Sequence, residues 1–255
     1  MAKIKAIMSA TAKPESHTDL YHSFDPDQRD FRNHNLCDVI LKFARGKNLI
    51  DVGCGYGQLL TAAQKLGFTV EGVEPDPALV ALAAKRHPLL KIHAADATEF
   101  APSELYDTVV SVDILECMLD YHPTLKAISR FIKPGGRLIL VVPAHPALFG
   151  SRDQLMGYFR RFSTTELVDA LQALGLTISH TRHWNMLLVL PYLILYKLLG
   201  KRQHYEQLRS NQNKNRIAST VGWLLDQWFQ IVENRLNFGL GLSLIVVADK
   251  PHPLL

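Results

Sequence analysis

Cysteine is scarce in this chain: Cys37, Cys54 and Cys117 are the only three in 255 residues. An odd number does not suggest a disulfide framework, and their spacing matches no metal-ligand pattern, so no metal site is expected. Long hydrophobic runs are lacking too. The uncharged stretch over residues 184–196 falls short of the roughly 20 residues a membrane span needs, and Pro191 interrupts it. Residues 1–8 carry charge without a long apolar core, so no secretory leader is read there and a cytoplasmic location is expected. Excess charge of one sign is small: 28 Lys and Arg against 24 Asp and Glu leave +4. Without a clustered patch that is too mild to imply a nucleic-acid partner. Internal repeats and low-complexity tracts are absent. What remains is 47% hydrophobic and 20% charged residues, enough for one large core with no need of a second independent domain.

The most informative stretch is Asn48-Leu49-Ile50-Asp51-Val52-Gly53-Cys54-Gly55-Tyr56-Gly57-Gln58-Leu59-Leu60. An apolar run ends near an acid, three glycines alternate with other residues, and an apolar-periodic segment resumes. That reads as a buried strand, a tight loop and a helix, an arrangement that brings a nucleotide-like ligand against bare backbone. The dinucleotide fingerprint G-x-G-x-x-G would need its third glycine at Gln58; here it comes one position early, at Gly57. A second strand over residues 68–73 leads to Glu74, Pro75 and Asp76, the tip where a doubly wound fold holds ribose hydroxyls. A carboxylate suits a vicinal diol because it accepts two charge-assisted hydrogen bonds. Asp76 is read as the cap of the next helix, with Pro77 at its first position.

Asp51-x-Gly53-x-Gly55-x-Gly57 resembles motif I of the class I S-adenosylmethionine (SAM) dependent methyltransferases. Further signals follow in that family's order: a third strand over residues 91–95 ending at Asp96 and Ala97, a fourth over 106–116, and the turn Lys133-Pro134-Gly135-Gly136 before a fifth over 137–143. The resemblance implies that Asp51, Gly53, Gly55 and Gly57 orient the methionine portion of SAM. It implies that Glu74, beside Pro75, holds the ribose and that Asp96 and Ala97 hold the adenine. Asp113 and Ile114 are then expected under the transferred methyl. The family often continues its fourth strand as Leu-Glu-His; Cys117 replaces that His, so no role of the His carries over. The implied fold is α/β, a doubly wound, Rossmann-like seven-stranded sheet with an antiparallel last strand and a helical insertion before it.

Past the fifth strand, residues 158–163 resemble a subgroup that carries His-x-Arg-Arg-Tyr-Thr after a distant Asp, here Asp153. Tyr158 stands at the His position and Phe162 at the Tyr. Tyr158 is a poor base at neutral pH because an unperturbed phenol titrates near 10, which leaves His145 as the catalytic-base candidate. Tyr158, Arg160 and Arg161 are candidates for the substrate, the arginines through bidentate contact with an anionic group. They serve equally as ties to backbone carbonyls. Ser163 and Glu166 read as a capping box opening a helix over residues 164–174.

The organisation expected is a lid over residues 1–35, a SAM-binding domain over 36–182 plus 239–250, and a hydrophobic and basic insertion over 183–238. In the insertion, the uncharged 184–196 run precedes Lys197, Lys201, Arg202, Arg209, Lys214 and Arg216 against the single acid Glu206. That pattern fits peripheral membrane contact through residues 184–216. It fits equally an oligomer contact in a homodimer, or a hairpin packing Trp223, Leu224, Leu225, Trp228 and Phe229 on the run. The function expected is methyl transfer from SAM to a small-molecule acceptor, hydrophobic or lipid-linked, by in-line displacement. The alternatives are a non-catalytic SAM-fold interaction module and an NAD-dependent oxidoreductase; Gln58 argues against the latter.

Overall fold

The computed structural model describes residues 31–194 and 216–253. Helix α1 (Phe31–Phe43) precedes strand β1 (Asn48–Val52), helix α2 (Gln58–Lys65), β2 (Thr69–Glu74), α3 (Pro77–Arg86), β3 (Lys91–Ala94) and β4 (Tyr106–Val112). Then come α4 (His122–Arg130), β5 (Ile132–Pro143), α5 (Ser151–Leu155), α6 (Thr164–Ala173), β6 (Thr177–Trp184), α7 (Val189–Tyr192), α8 (Arg216–Trp228) and β7 (Ser243–Asp249). The seven strands lie in the order β3-β2-β1-β4-β5-β7-β6. Strands β1 to β5 pair in parallel, and β7 runs antiparallel to both β5 and β6. This is the doubly wound α/β sheet that the resemblance implies. The order reverses between β1 and β4, which opens the ligand crevice at the strands' carboxyl ends.

The central strands read as continuous apolar runs because both faces are covered. Leu138, Leu140 and Val142 of β5 face one core, with Leu125, Ile128, Phe162 and Leu171. Ile139 and Val141 face the other, with Ile40, Leu60, Trp184 and Phe229. This is the two-residue alternation of a strand, buried on both sides.

Three strand boundaries move, the first that of β5, which starts at Ile132 and takes in the expected turn over residues 133–136. Strand β4 stops at Val112, and Leu115–Cys117 forms a 3-10 turn rather than more strand. Strand β6 runs on to Trp184, which is fully buried, so the apolar run begins inside the sheet and continues as the short α7. Among the described residues α8 packs on α1, and Phe229 just past it packs against Trp184 at the start of the 184–194 run. A buried polar chain fixes it there: Asn35 Nδ2 donates to Asp226 Oδ1 (2.8 Å), and Asn234 Nδ2 donates to Asn35 Oδ1 (3.1 Å). Trp184 Nε1 donates to Asn234 Oδ1 (3.0 Å). Of the expected lid, residues 1–30 lie outside the described residues, as do 195–215 of the insertion; residues 31–35 belong to α1.

Candidate active site

The glycine loop is built from backbone that side chains would obstruct. Gly53, Gly55 and Gly57 have φ of 78°, 54° and 84°, the left-handed region that only glycine adopts freely. A Cβ on Gly53 would stand 2.3 Å from Ile114 Cγ2, so the loop lies directly on the tip of β4. A Cβ on Gly55 would meet nothing within 4 Å among the described residues. Glu74, at the end of β2, ties the loop down. Its Oε2 accepts from Gly55 N (2.9 Å) and its Oε1 from Asp76 N (3.0 Å). Each oxygen keeps a further lone pair for a ligand.

Below the loop, Asp51 is buried and its Oδ1 accepts no hydrogen bond among the described residues. Burial, reinforced by the nearby Glu74 charge, pushes its carboxyl up to about 7. Burial also pushes Glu74 up, and the amides of Asp76 and Gly55 oppose that. An unsatisfied buried carboxylate is costly, and a ligand ammonium would satisfy it. The open space at Gly55, the spare lone pairs of Glu74 and the orphaned oxygen of Asp51 together fit the polar end and ribose of SAM. Asp96 Oδ1 accepts from Thr98 N (2.8 Å) and Thr98 Oγ1 (2.6 Å), a local turn that fixes the carboxyl at the end of β3. Ala97 beside it is buried, whereas Pro75 is exposed.

A polar cavity of about 50 Å3 opens beyond Ile114 at the ends of β4, β5 and β7, lined by Arg32, Asp113, Tyr158, Arg161, Asn185 and Ser243 among others. The non-glycine residues with positive φ among those described are Asp113 (54°), His145 (61°) and Asn185 (69°), just past the carboxyl ends of β4, β5 and β6. Left-handed backbone at three neighbouring strand ends is the strain that functional rims hold. Arg32 Nη2 donates to Asp113 Oδ2 (3.1 Å) and to Ser243 Oγ (3.3 Å). Neither Arg32 nor Ser243 stood out in the sequence; they lie 81 and 130 positions from Asp113 along the chain, and only the sheet brings them together.

Four expected residues need a structural account. Arg161 is buried and occupied: Nε and Nη2 donate to Asp153 (2.9 and 2.7 Å) and Nη1 to Ala144 O (3.1 Å). Asp153 also accepts from Tyr192 OH (3.0 Å) and Gly150 N (2.9 Å), so this pair builds the cavity wall. Arg160 points elsewhere, donating to Leu119 O and lying over the Tyr121 ring. Tyr158 does line the cavity, and burial next to Asp113 and Glu116 holds its phenol well above its ordinary value. His145 does not line this cavity. Its ring stacks on His183 (4.7 Å, 9°), its Nε2 is buried without a partner among the described residues, and burial plus Arg161 lower its pKa.

Glu116 is fully buried behind the cavity, with neither oxygen hydrogen-bonded among the described residues. Burial and Asp113 hold its carboxyl well above the usual range. The expected capping box is half formed: Ser163 Oγ accepts from Glu166 N (3.1 Å), but the Glu166 carboxyl turns to Tyr121 OH (3.5 Å).

Comparison with known proteins agrees with this geometry. The family model described as a methyltransferase domain matches residues 28–181. A ubiquinone biosynthesis O-methyltransferase of Pseudomonas savastanoi pv. phaseolicola is 37% identical over 101 residues, 36% of this chain and 43% of that protein. A protein of Mycolicibacterium smegmatis named as a probable S-adenosylmethionine-dependent methyltransferase is 26% identical over 157 residues, 59% of this chain and 60% of that one. The matches thus span about half the length of these relatives. Among solved structures, the complex of the Haloferax volcanii Trm112 methyltransferase activator with a methyltransferase aligns at TM-score 0.63 and 18% identity, covering 95% of this chain and 100% of that one. With the loop, the sheet order and a family match over more than half its length, the chain belongs to the class I SAM-dependent methyltransferases.

Proposed function

We propose that the protein transfers the methyl group of SAM to a small-molecule acceptor whose reacting end is polar and whose body is hydrophobic. The observation that carries this is the adjacency of the Gly53–Gly57 loop, over the orphaned Asp51 carboxyl, to the polar cavity that starts at Asp113. The Pseudomonas relative is named for O-methyl transfer in ubiquinone biosynthesis, which supports a small-molecule acceptor. The exposed Leu190, Ile194 and Trp223 of the insertion support the hydrophobic body.

When bound, SAM supplies a sulfonium methyl that is electrophile and leaving group in one. The chain's part is alignment, since in-line displacement needs a placed acceptor more than covalent help. Asp51 and the glycine loop orient the aminocarboxypropyl arm, Glu74 the ribose, and Asp96 with Ala97 the adenine. Asp113, Ile114 and Tyr158 place the acceptor. A hydroxyl acceptor passes its proton to the Asp113 carboxylate, the acidic group that lines the cavity; the wall built by Arg161 and Asp153 limits water. His145 supports the rim from outside the cavity.

Incubation with methyl-labelled SAM and a panel of phenols bearing apolar tails tests this. Labelled methyl ethers are expected, with kcat falling about a hundredfold or more in Asp113→Asn, the scale of a lost proton acceptor. Tight cofactor binding without turnover on any member would instead favour a non-catalytic module.

A further inference from the structure

We infer that Asn185 is the specificity-determining residue of the acceptor site: its side-chain oxygen receives a hydrogen bond from an acceptor hydroxyl. The inference rests on the methyltransferase reading above and adds which functional group the cavity selects.

Asn185 lines the cavity, is 2% exposed, and its Oδ1 accepts no hydrogen bond among the described residues. Its φ of 69° is left-handed, a conformation that Asn tolerates better than most residues but that still needs support. The fold supplies that support without using the amide oxygen. The Asn185 carbonyl accepts from Leu242 N (3.3 Å). Gly241 lets the chain pass flush against Trp184, where a Cβ would sit 2.3 Å from the Trp184 carbonyl oxygen. Trp184 is itself held through Nε1 to Asn234. The scaffold therefore fixes the backbone of Asn185 at the cavity and leaves its buried acceptor oxygen unspent. A buried carbonyl oxygen without a donor costs free energy, and a ligand N–H or O–H removes that cost.

The surroundings choose between those donors. Around the cavity Arg32 is paired with Asp113 and Arg161 with Asp153. The carboxylates there are already spent, so an ammonium or protonated amine finds no free counter-charge. A hydroxyl needs none and donates to Asn185. The cavity lies at the strand ends beside Asp113, so it reads the polar end of the acceptor: Asn185 bonds a hydroxyl next to the one whose proton passes to Asp113. A site built to bond a hydroxyl discriminates strongly against analogues that lack it, because its own buried polar groups are left unpaired.

The test uses the full-length protein saturated with S-adenosylhomocysteine (SAH), titrated with catechol and with the dimethyl ether of catechol, which keeps the ring and removes the donors. The inference expects catechol to bind at least tenfold tighter than its ether. That preference should vanish in Asn185→Gly, which keeps the left-handed backbone and removes the amide. It should survive in Asn185→Asp, which keeps an acceptor oxygen. SAH affinity should stay within about threefold of the parent in both variants, which shows that they are folded. Equal binding of the two probes, no catechol binding to the SAH-loaded protein, or a preference that persists in Asn185→Gly overturns the assignment. Absence of SAH binding by the parent protein would instead remove the methyltransferase reading on which it rests.

Discussion

Asp51 joins a conformational feature to a titration that can be measured. Its carboxyl titrates near 7 in the fold because it is buried beside Glu74, against 3.8 for the ordinary group. Ionisation is therefore easier in the unfolded chain. This group takes nothing from stability below about 3.8, lowers it progressively as pH rises toward 7, and has no further effect above. A bound ammonium reverses the preference by favouring the charged form. SAH affinity is expected to climb with pH up to about 7, by as much as tenfold per unit where one proton is released, and then to level off. In Asp51→Asn the profile should be flat across that window. Calorimetry from pH 5.5 to 8.5 checks both. Asp153 tests a different property. Fully buried and bidentate to Arg161, it leaves an uncompensated guanidinium when replaced by Ala, so a loss of about 3–5 kcal/mol is expected in chemical unfolding. The places of Asp51 and Glu74 near the ends of β1 and β2, and of Asp96 just past β3, were legible because the strands come in a known succession; their ligand roles are proposals. Asn185 was not legible, since its signal is an unpaired oxygen and a backbone angle that composition does not reveal.

The glycine loop is the element on which the cofactor site depends, and its glycines are not equivalent. Gly53→Ala forces a Cβ into Ile114 as well as a left-handed backbone. Strain at such a position costs about 1–3 kcal/mol, so both thermal stability and SAH affinity should fall. Gly55→Ala has the same backbone penalty but open space around it, so SAH affinity should fall with a smaller loss of stability. Differential scanning fluorimetry with and without SAH separates the two, and equal stability losses would contradict the packing argument. The succession of strands along the chain, the Asp76 cap and the Ser163 cap were readable because they depend on local spacing. Asp76 Oδ1 does accept from Ala78 N at 2.8 Å. The packing of α8 on α1 was not readable, because it depends on Asn35 meeting Asp226 across 191 positions. Of the residues read as a hairpin packing on the apolar run, Trp223, Leu224, Leu225, Trp228 and Phe229, the last fills the core against Trp184 while Trp223 and Leu224 face outward; past residue 194 that run lies outside the described residues.

For the whole molecule, the continuous burial of β4, β5 and β7 marks a sheet covered on both sides, and the switch between β1 and β4 fixes where ligands enter. No described helix is long and apolar enough to cross a membrane. Leu190 and Trp223 are 65% and 59% exposed, on elements that flank the basic 197–216 segment, most of which lies outside the described residues. Peripheral contact with anionic lipid through this region is our proposal. The double variant Leu190→Asp with Trp223→Asp should lose co-sedimentation with anionic liposomes while keeping its melting temperature within a few degrees. Unchanged sedimentation would end the idea.

The central claim is that the glycine loop holds SAM, and a calorimetric titration with SAH, with NAD as control, tests it most directly. The account predicts one-to-one micromolar binding of SAH, loss of that binding in Gly53→Ala, and no heat from NAD. Binding of NAD in preference to SAH, or SAH affinity indifferent to Gly53, would contradict it.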